Sequence, residues 1–363
     1  MRGQEEAQEE IFSYITLEKR VPLDHPLRKI REVSNRGLKE LSPSLEGMYA
    51  KVGRPSIPPE QLLRGLLLQA LYSVRSERQL MEQLDYNLLF RWFVGLRADD
   101  EVWDATVFTK NRDRLLEAEI AEKFFVTVLR EAQEQGLLSE EHFTVDGTLI
   151  EGWASRKSFQ EKKDPPERGT GSGGRKTLRD THESRTDPQA RLYKRSRASE
   201  AKPSYLGHLV TENRSGLIVR TRVTLSGTRE EPQAALSMLR ELFAAAGPKA
   251  GRATVGADKA YQVRGFIEGL REMGVRPHVA EYRKSMRQWP NCLRAEERED
   301  PGFASSQRQR KRIEKMFSWI KVVAGLRKTK FLGQQRVGWS FCLAAAAANL
   351  LRMSKLMANP AEG

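Results

Sequence analysis

The chain has 363 residues, of which 39% are hydrophobic, and it carries a formal net charge of +14 with an isoelectric point of about 9.8. This composition excludes an intrinsically disordered chain and favours two or three globular domains with a polyanionic partner. No apolar run reaches the roughly 20 residues that cross a bilayer, and no apolar secretory signal is visible. The sequence therefore favours nucleic acid in the cytoplasm, with no membrane partner. Neither Cys292 nor Cys342 belongs to a CxxC pair, which argues against a zinc site or a disulfide framework.

Helical periodicity runs through residues 1–136. Leucines at helical spacing predict a helix over Glu60–Val74. Ser76 and Gln79 resemble a capping box and predict a second helix over 77–84. Short helices joined by tight turns indicate an all-helical, helix-turn-helix-like DNA-binding domain in this part of the chain.

A later helix of this domain is basic. Thr106 is its predicted N-cap. Its exposed side is expected to carry four residues that contact DNA: Lys110, Asn111, Arg112 and Arg114. An ordinary helical bundle whose basic residues are merely solvated explains the same pattern almost equally well.

Residues 143–150, FTVDGTLI, predict a buried strand because apolar and polar side chains alternate. Asp146 stands on the polar face, where a carboxylate goes against β propensity and against the cost of burying an unpaired charge. On this stretch alone an Asp that ends a strand and caps a turn through Gly147 is the simpler explanation. Asp146 becomes part of a functional site only if other functional residues of the chain lie close to it.

Residues 153–203 differ from their surroundings, with 14 Lys and Arg against 7 Asp and Glu and little apolar periodicity. They predict a long, basic and flexible insertion after the first strand. Such an arm can follow a phosphate backbone, whereas the simpler alternative is a solvated linker. The concentration of positive charge favours contact with DNA.

Strand and helix patterns alternate from Ser204 onward. They predict a hairpin over 205–212 and 217–225, helices over 230–246, 263–273, 307–326 and 337–356, and strands over 252–258 and 275–279. The sequence thus predicts a mixed α/β domain over 137–363 that follows the helical domain over 1–136.

Two more carboxylates stand on these elements. Asp258 ends an apolar strand, and Glu314 lies on a basic helix between Arg310 and Lys321, at a spacing that predicts one helical stripe. On that helix alone, a solvated Arg–Glu pair is the simpler explanation. If the acids of the two strands and the helix meet in space, they form a carboxylate set suited to two Mg²⁺ ions that act in phosphoryl transfer.

Several long segments resemble the DDE transposases of bacterial insertion sequences, specifically insertion-sequence family five within the broader family-four-like group. In the helical part these segments are GRPSIPPEQLLRGLLLQALYSVRSERQLMEQLDYNLLFRWFVGL and FTKNRDRLL. In the α/β part they are FTVDGTLIEGWAS, THESRTDPQARLY, SYLGHLVTENRSGLIV, GADKAY and RIEKMFSWIK. The resemblance covers nearly the whole chain.

The resemblance implies an RNase H-like catalytic domain in which Asp146, Asp258 and Glu314 are the catalytic, metal-binding acids. It implies two Mg²⁺ ions, for which Mn²⁺ can substitute. The broader group has a signature of Tyr, Arg, Glu and Lys around the third acid. Arg310, Glu314 and Lys321 fit this signature, whereas Gln307 replaces the tyrosine.

The function implied is that of a transposase that binds the terminal inverted repeats of an insertion element, cleaves the DNA and transfers the strands. Arg310, Lys321 and Lys259 are expected to contact phosphates near the cleaved bond, and the protein is expected to act as a homodimer on double-stranded DNA. Two alternatives remain: an RNase H-like host nuclease acting on branched or hybrid nucleic acid, and a non-catalytic regulator derived from a transposase.

Overall fold

The structure is a computed structural model that describes residues 16–49, 56–117, 119–169, 176–194, 200–227, 230–246, 253–281 and 291–358. The first part of the chain is helical: α1 (Leu17–Arg20), α2 (Pro26–Glu46), α3 (Pro59–Leu71), α4 (Glu77–Tyr86), α5 (Leu88–Val94), α6 (Ala105–Glu117) and α7 (Ile120–Glu134). Strands and helices then alternate: β1 (His142–Glu151), β2 (Phe159–Glu161), α8 (Leu178–Thr181), β3 (His182–Ser184), β4 (Arg191–Tyr193), β5 (Lys202–Glu212), β6 (Ile218–Leu225), α9 (Glu230–Ala246), β7 (Thr254–Ala257), α10 (Arg264–Glu272), β8 (Arg276–Val279), α11 (Ala295–Arg298), α12 (Phe303–Arg310), α13 (Arg312–Val322) and α14 (Gln334–Ala358).

Local capping sets the boundaries of the N-terminal helices. The Ser76 hydroxyl accepts a 3.1 Å hydrogen bond from the Gln79 amide and begins α4, as the sequence predicts. The prediction that Thr106 caps α6 is wrong. Asp104 does so, because its carboxylate accepts a 2.7 Å bond from the Thr106 amide and stands outside the first helical turn.

The central sheet has the order β6-β5-β1-β7-β8, and β4 pairs with β5 near its N-terminal end. β5 is antiparallel to both β1 and β6, whereas β7 is parallel to β1 and β8 is parallel to β7. The predicted hairpin is confirmed as β5 and β6, which meet in a turn where Gly216 adopts a φ of +73°. β1 continues to Glu151, so the Asp146–Gly147 step lies inside a strand and is not a turn.

Helix α14 is the centre of the hydrophobic core. It packs against β6 of the sheet and against α2, α3 and α7 of the helical part. Its alanines, Ala344–Ala348, are at most 4% exposed, and their small side chains let the neighbouring elements approach closely. Gly207 of β5 serves the same purpose, because a Cβ there would lie 2.9 Å from the Phe341 ring.

One apolar cluster consequently extends from α2 to α14 and includes residues of β5 and β6. Within the described residues α14 is the one helix whose length and composition would suit a membrane span. Its most apolar 18-residue window is 72% buried inside the protein, which is the burial of a core helix. The helical part therefore shares its core with the sheet, and the boundary at residue 136 stays a prediction.

The described residues of the insertion over 153–203 form strands and contacts with the rest of the protein, and the flexibility of the insertion stays a prediction. β2 and β3 form a two-stranded sheet, and β4 adds to the central sheet. Asp187 is buried and accepts hydrogen bonds from the Tyr205 hydroxyl at 2.7 Å and from the Gly333 amide at 3.3 Å. These bonds fix the insertion between β5 and the start of α14. Residues 170–175 and 195–199 of the predicted arm lie outside the described residues.

A fragment comprising residues 1–136 should fail to unfold cooperatively. The apolar faces of α2, α3 and α7 that rest on α14 are exposed to water in this fragment, and their burial is a main source of stability. We expect weak near-ultraviolet circular dichroism and no sharp thermal transition, in contrast to the full chain. A sharp transition with a dispersed NMR spectrum for the fragment would contradict the shared core.

Candidate active site

The sheet opens at the C-terminal end of β7. β1 and β7 pair at three positions, the last of which joins Thr144 to Gly256, and β7 ends one residue later. Asp146 and Asp258 each stand two residues beyond this last pair. Because β1 and β7 are parallel, the two residues lie at the same level on neighbouring segments of the protein. The backbones of the two strands are roughly 5 Å apart where they last pair. We call this opening, with the two aspartates at its mouth, the notch.

Asp146 is half-buried in the middle of β1, and its Oδ1 accepts a 2.8 Å hydrogen bond from the Gly147 amide. Burial raises the pKa of Asp146 to about 6. The negative charges of Asp258 and Glu314 raise it further, whereas the Gly147 hydrogen bond and the positive charge of Arg310 lower it. Asp258 and Glu314 therefore both lie within electrostatic range of Asp146.

Asp258 leaves the sheet and begins a short turn of 3₁₀ helix over Lys259–Tyr261. Its Oδ1 accepts a 2.8 Å bond from the Ala260 amide, which fixes the side chain at the mouth of the notch. Lys259 is exposed beside it. The sequence correctly identifies Asp258 as an acid that directly follows a buried strand. The structure shows that β1 is the parallel strand beside it.

Glu314 reaches the notch from a helix that the sequence did not predict correctly. The single helix expected over 307–326 is broken at Lys311 into α12 and α13. The predicted stripe is therefore wrong: Arg310 ends α12, Glu314 is exposed in the first turn of α13, and Phe317 is buried in the core at 6% exposure. The apolar side of α13, with Ile313, Phe317 and Ile320, packs in the core.

Gln307, at the position of the signature tyrosine, holds α12 against the sheet. Its side-chain amide donates hydrogen bonds to the carbonyls of Ala257 and His278, at the ends of β7 and β8. Its carbonyl oxygen accepts a 3.3 Å bond from Arg310 Nε. Gln307 thus positions Arg310 beside Asp146, a role that needs no hydroxyl group. The sequence showed this residue only as a departure from the signature.

The donor set at the notch suits a divalent cation. Carboxylate oxygens are the ligands that Mg²⁺ and Mn²⁺ prefer, and burial together with two neighbouring acids disfavours the ionised form of Asp146 when no cation is bound. Among the described residues no group of three or more His, Cys, Asp or Glu side chains is closed around a single point.

Lys321 does not lie on the Arg310 side of the site. It lines a cleft of about 660 Å³ between α3, the end of β1 and the segment before α14. Arg75, Arg327, Lys328 and Lys330 also line this cleft, and Glu151 is the one acid among its lining residues in the described structure. The Trp153 ring is 55% exposed there, with the Lys328 ammonium 5.4 Å from its centroid.

Sequence reasoning missed this cleft. An exposed tryptophan two residues beyond β1 was the signal that could have indicated it, since large aromatic side chains are usually buried. The structure also brings segment 327–329 to the edge of β1, where the Glu151 amide donates a 3.0 Å hydrogen bond to the Arg327 carbonyl. The cleft is therefore continuous with the strand that carries Asp146.

Two of the four α6 residues predicted to lie on its exposed side are buried, and DNA contact by the other two stays a prediction. Lys110 and Arg114 are exposed, whereas Asn111 and Arg112 are buried at 5% and 7% exposure. Asn111 accepts a hydrogen bond from the Ser56 hydroxyl at 2.5 Å and donates to the helix backbone. Periodicity misassigned these two residues because neighbouring elements cover part of the polar side of α6.

Arg112 connects the helical part to the segment before α14. It forms ion pairs with Glu77 and Asp113, and its guanidinium lies 5.1 Å from the centroid of the Phe331 ring. Burial favours a higher pKa for Glu77, but Lys330 at 2.7 Å and Arg112 outweigh it, and the pKa is lowered. Arg112 is therefore a structural residue.

Three antiparallel strands followed by two that run parallel to the first, with acids at the opened edge, define the RNase H-like class of fold that the resemblance implies. A family model described as the transposase DDE domain matches residues 139–350, which is more than half of the chain. A second model, described as a transposase domain (DUF772), matches residues 15–114. The chain belongs to the DDE transposase family, and its activity is the cleavage and transfer of DNA strands.

Solved structures of Mos1 transposase are also similar. A pre-cleavage Mos1 transpososome is 10% identical, with 78% of this chain and 83% of that chain covered and a TM-score of 0.21. The Mos1 paired-end complex with the left transposon end is 12% identical at the same coverage and TM-score. The Mos1 mariner paired-end complex with Mn is 13% identical, again with a TM-score of 0.21. Scores this low do not establish a common fold, so the assignment rests on the family models and the sheet order.

Asp146→Asn should stabilise the metal-free protein at neutral and higher pH. The folded pKa of about 6 exceeds the ordinary value of 3.8, so the folded chain holds this proton more tightly than the unfolded chain does. The stability of the wild type therefore falls as the pH rises from about 4 to about 6, and the asparagine variant avoids this loss. We expect a gain of roughly 1–3 kcal/mol near pH 8 that disappears near pH 4.

Urea unfolding in the presence of a chelator measures this difference. Glu134→Gln, which removes an exposed charge from the end of α7, is the matched control and should change stability little at either pH. Equal stability of Asp146→Asn and wild type near pH 8 would contradict the destabilising position of this carboxylate.

Proposed function

We propose that Asp146, Asp258 and Glu314 are the metal-binding acids of this transposase, with Asp146 shared between two ions. Asp146 and Asp258 would hold one Mg²⁺, and Asp146 and Glu314 the other. The parallel pairing of β1 with β7 supports this assignment most directly, because it sets the two aspartates at the same level just beyond the paired parts of the two strands. When bound, the ions activate water as the nucleophile and stabilise the leaving oxygen of the cleaved phosphodiester.

Basic side chains of the protein would bind the phosphate groups of the DNA. Arg310, positioned by Gln307, stands beside Asp146 and offers a guanidinium to the phosphate that is cleaved. Lys259, exposed next to Asp258, is a second phosphate contact. The 3′-hydroxyl released by cleavage then attacks the target DNA, so the reaction needs no protein nucleophile. The partly buried notch limits competing water.

The DNA path follows β1 from the notch to the cleft. The distance from Asp146 to Glu151 along a strand is roughly 17 Å, the length of about five base pairs. Lys321, Lys328 and the exposed Trp153 ring lie at the far end, where cations bind phosphates and an aromatic face stacks on an unpaired base. This arrangement supports contact with the DNA flanking the cleaved bond.

The helical part is proposed to recognise the terminal inverted repeats of an insertion element through a helix-turn-helix-like unit. Lys110 and Arg114 are its exposed cations on α6. We further propose that the protein belongs to insertion-sequence family five, works in the cytoplasm, acts as a homodimer on two element ends, and uses Mn²⁺ in place of Mg²⁺ when it is supplied. The long resemblance in the sequence supports these proposals.

Asp146→Ala should abolish strand cleavage and leave end binding within roughly threefold of wild type. The substitution removes a ligand shared by both ions, whereas the contacts that bind the DNA remain. Cleavage of a labelled element end in Mg²⁺ and a gel-shift titration measure the two properties. Glu134→Gln is the control with one acid removed elsewhere, and it should cleave normally. Cleavage by Asp146→Ala at the wild-type rate would refute the assignment.

Replacing both Lys110 and Arg114 by Ala should weaken DNA binding and reduce its dependence on salt. Each phosphate contact contributes roughly 0.9 to the slope of log K against log salt, so the slope should decrease by roughly 1.8. Asn111→Ala is the matched control on the same helix. Because Asn111 is buried, this variant should melt at a lower temperature and keep the wild-type slope. An unchanged slope in the double variant would exclude α6 from the DNA interface.

A further inference from the structure

A fourth carboxylate, that of Glu231, lies beside β1 at Gly147, the residue that follows Asp146. Helix α9 packs against β1 and against the turn over Lys259–Tyr261. Glu231, in its first turn, extends over Gly147, the residue directly after Asp146. A Cβ at Gly147 would lie 3.0 Å from the carboxylate carbon of Glu231 and 3.1 Å from its Oε1. The side chain is thus in van der Waals contact with the strand beside the shared aspartate.

Stabilisation of the helix dipole does not by itself explain this position. An acidic residue in the first turn of a helix interacts favourably with the helix dipole in whichever direction its side chain points. Glu230 occupies the same turn, and its carboxylate lies instead over Gly227, in the segment before the helix. Gly147 has no positive φ that would require a glycine. The missing Cβ at Gly147 is what gives Glu231 access to the strand.

Tyr261 provides an independent observation. Its side chain is 1% exposed and packs on Phe266, and its hydroxyl has no hydrogen-bond partner among the described residues. Burial raises the pKa of Tyr261 well above its ordinary value, and the charges of Glu231, Asp146 and Asp258 raise it further, in that order. A buried hydroxyl group therefore lies within electrostatic range of these three carboxylates. Buried hydroxyl groups in proteins normally have a hydrogen-bond partner.

We propose that Glu231 is a fourth carboxylate ligand of the divalent-cation site, entering from the α9 side of β1 while Glu314 enters from the α13 side. The buried Tyr261 hydroxyl, which has no hydrogen-bond partner among the described residues, lies within electrostatic range of Glu231 and Asp146 and is available to a ligand of this site. Four carboxylates balance the charge of two divalent ions, whereas three leave an excess positive charge. This inference rests on the proposed metal-binding role of Asp146 and Asp258 and adds a residue to the same site.

The test measures Mn²⁺ binding to the full chain without DNA, by the electron paramagnetic resonance signal of the unbound ion. Glu231→Gln keeps the shape of the side chain and removes its charge. We expect Mn²⁺ to bind on the order of 10-fold to 100-fold more weakly. The metal-free variant should melt at a higher temperature than wild type, because one of the repelling charges is removed. Glu230→Gln, the matched control in the same helical turn, should change neither property.

Gly147→Ala is a second variant that retains every carboxylate. The added methyl group displaces the Glu231 side chain and should also weaken Mn²⁺ binding, so the inference stays testable if Glu231→Gln does not fold. Asp146→Asn is the reference for the proposed function. Wild-type Mn²⁺ affinity in folded Glu231→Gln, with weak binding by Asp146→Asn, would overturn the role of Glu231 alone. Wild-type affinity in both variants would overturn the metal site itself.

Discussion

The short parallel pairing of β1 with β7 is the constraint on which the site depends. It lasts for three residue pairs and ends at Thr144 and Gly256, after which β1 loses its neighbour. If the pairing were longer, backbone hydrogen bonds would close the edge where Asp146 stands. If it were absent, nothing would set Asp258 at the level of Asp146. The notch is therefore a consequence of where a strand ends, and the side chains around it are placed from both faces of the sheet.

The elements that bring those side chains are held by α14. This helix is covered by β6 on one side and by the N-terminal helices on the other. The helical part and the sheet therefore share one hydrophobic core. Glycine and alanine allow the close approach, as Gly207 does beneath Phe341. The buried pairs of Arg112 with Glu77 and of Tyr205 with Asp187 fix the intervening segments to the same core. A common core of this kind gives the helical part and the sheet a defined relative position.

Charge is divided between the interior and the surface in a way that suits a polyanionic substrate. Acids stand at the notch, where burial raises the pKa of Asp146 to about 6 and the charges of Asp258 and Glu314 raise it further. Many of the cations line the cleft at the end of β1 or stand exposed on α6. The basic balance of the whole chain thus reflects its surface, while the catalytic region has the opposite sign. A site of this kind is stabilised by what it binds.

Much of the fold could be read from the sequence because hydrophobic periodicity is a local property. The hairpin of β5 and β6, helix α9 and the strand that carries Asp146 all follow from alternation and turn residues. The site was predictable only in part. Asp146 and Asp258 are marked by their strands, but their separation in sequence carries no information about distance, and the family resemblance supplied their convergence.

The tertiary structure alone decided the rest. The sequence by itself determined which residues are acidic, which segments are strands and that the partner is a polyanion. It did not reveal that Asn111 and Arg112 are buried, that Lys311 breaks the helix before Glu314, or that Asp187 of the basic insertion bonds to Tyr205. Nor did it mark Glu231, whose carboxylate reaches β1 only because Gly147 lacks a side chain. Burial and proximity arise from contacts between distant elements, and local patterns do not encode them.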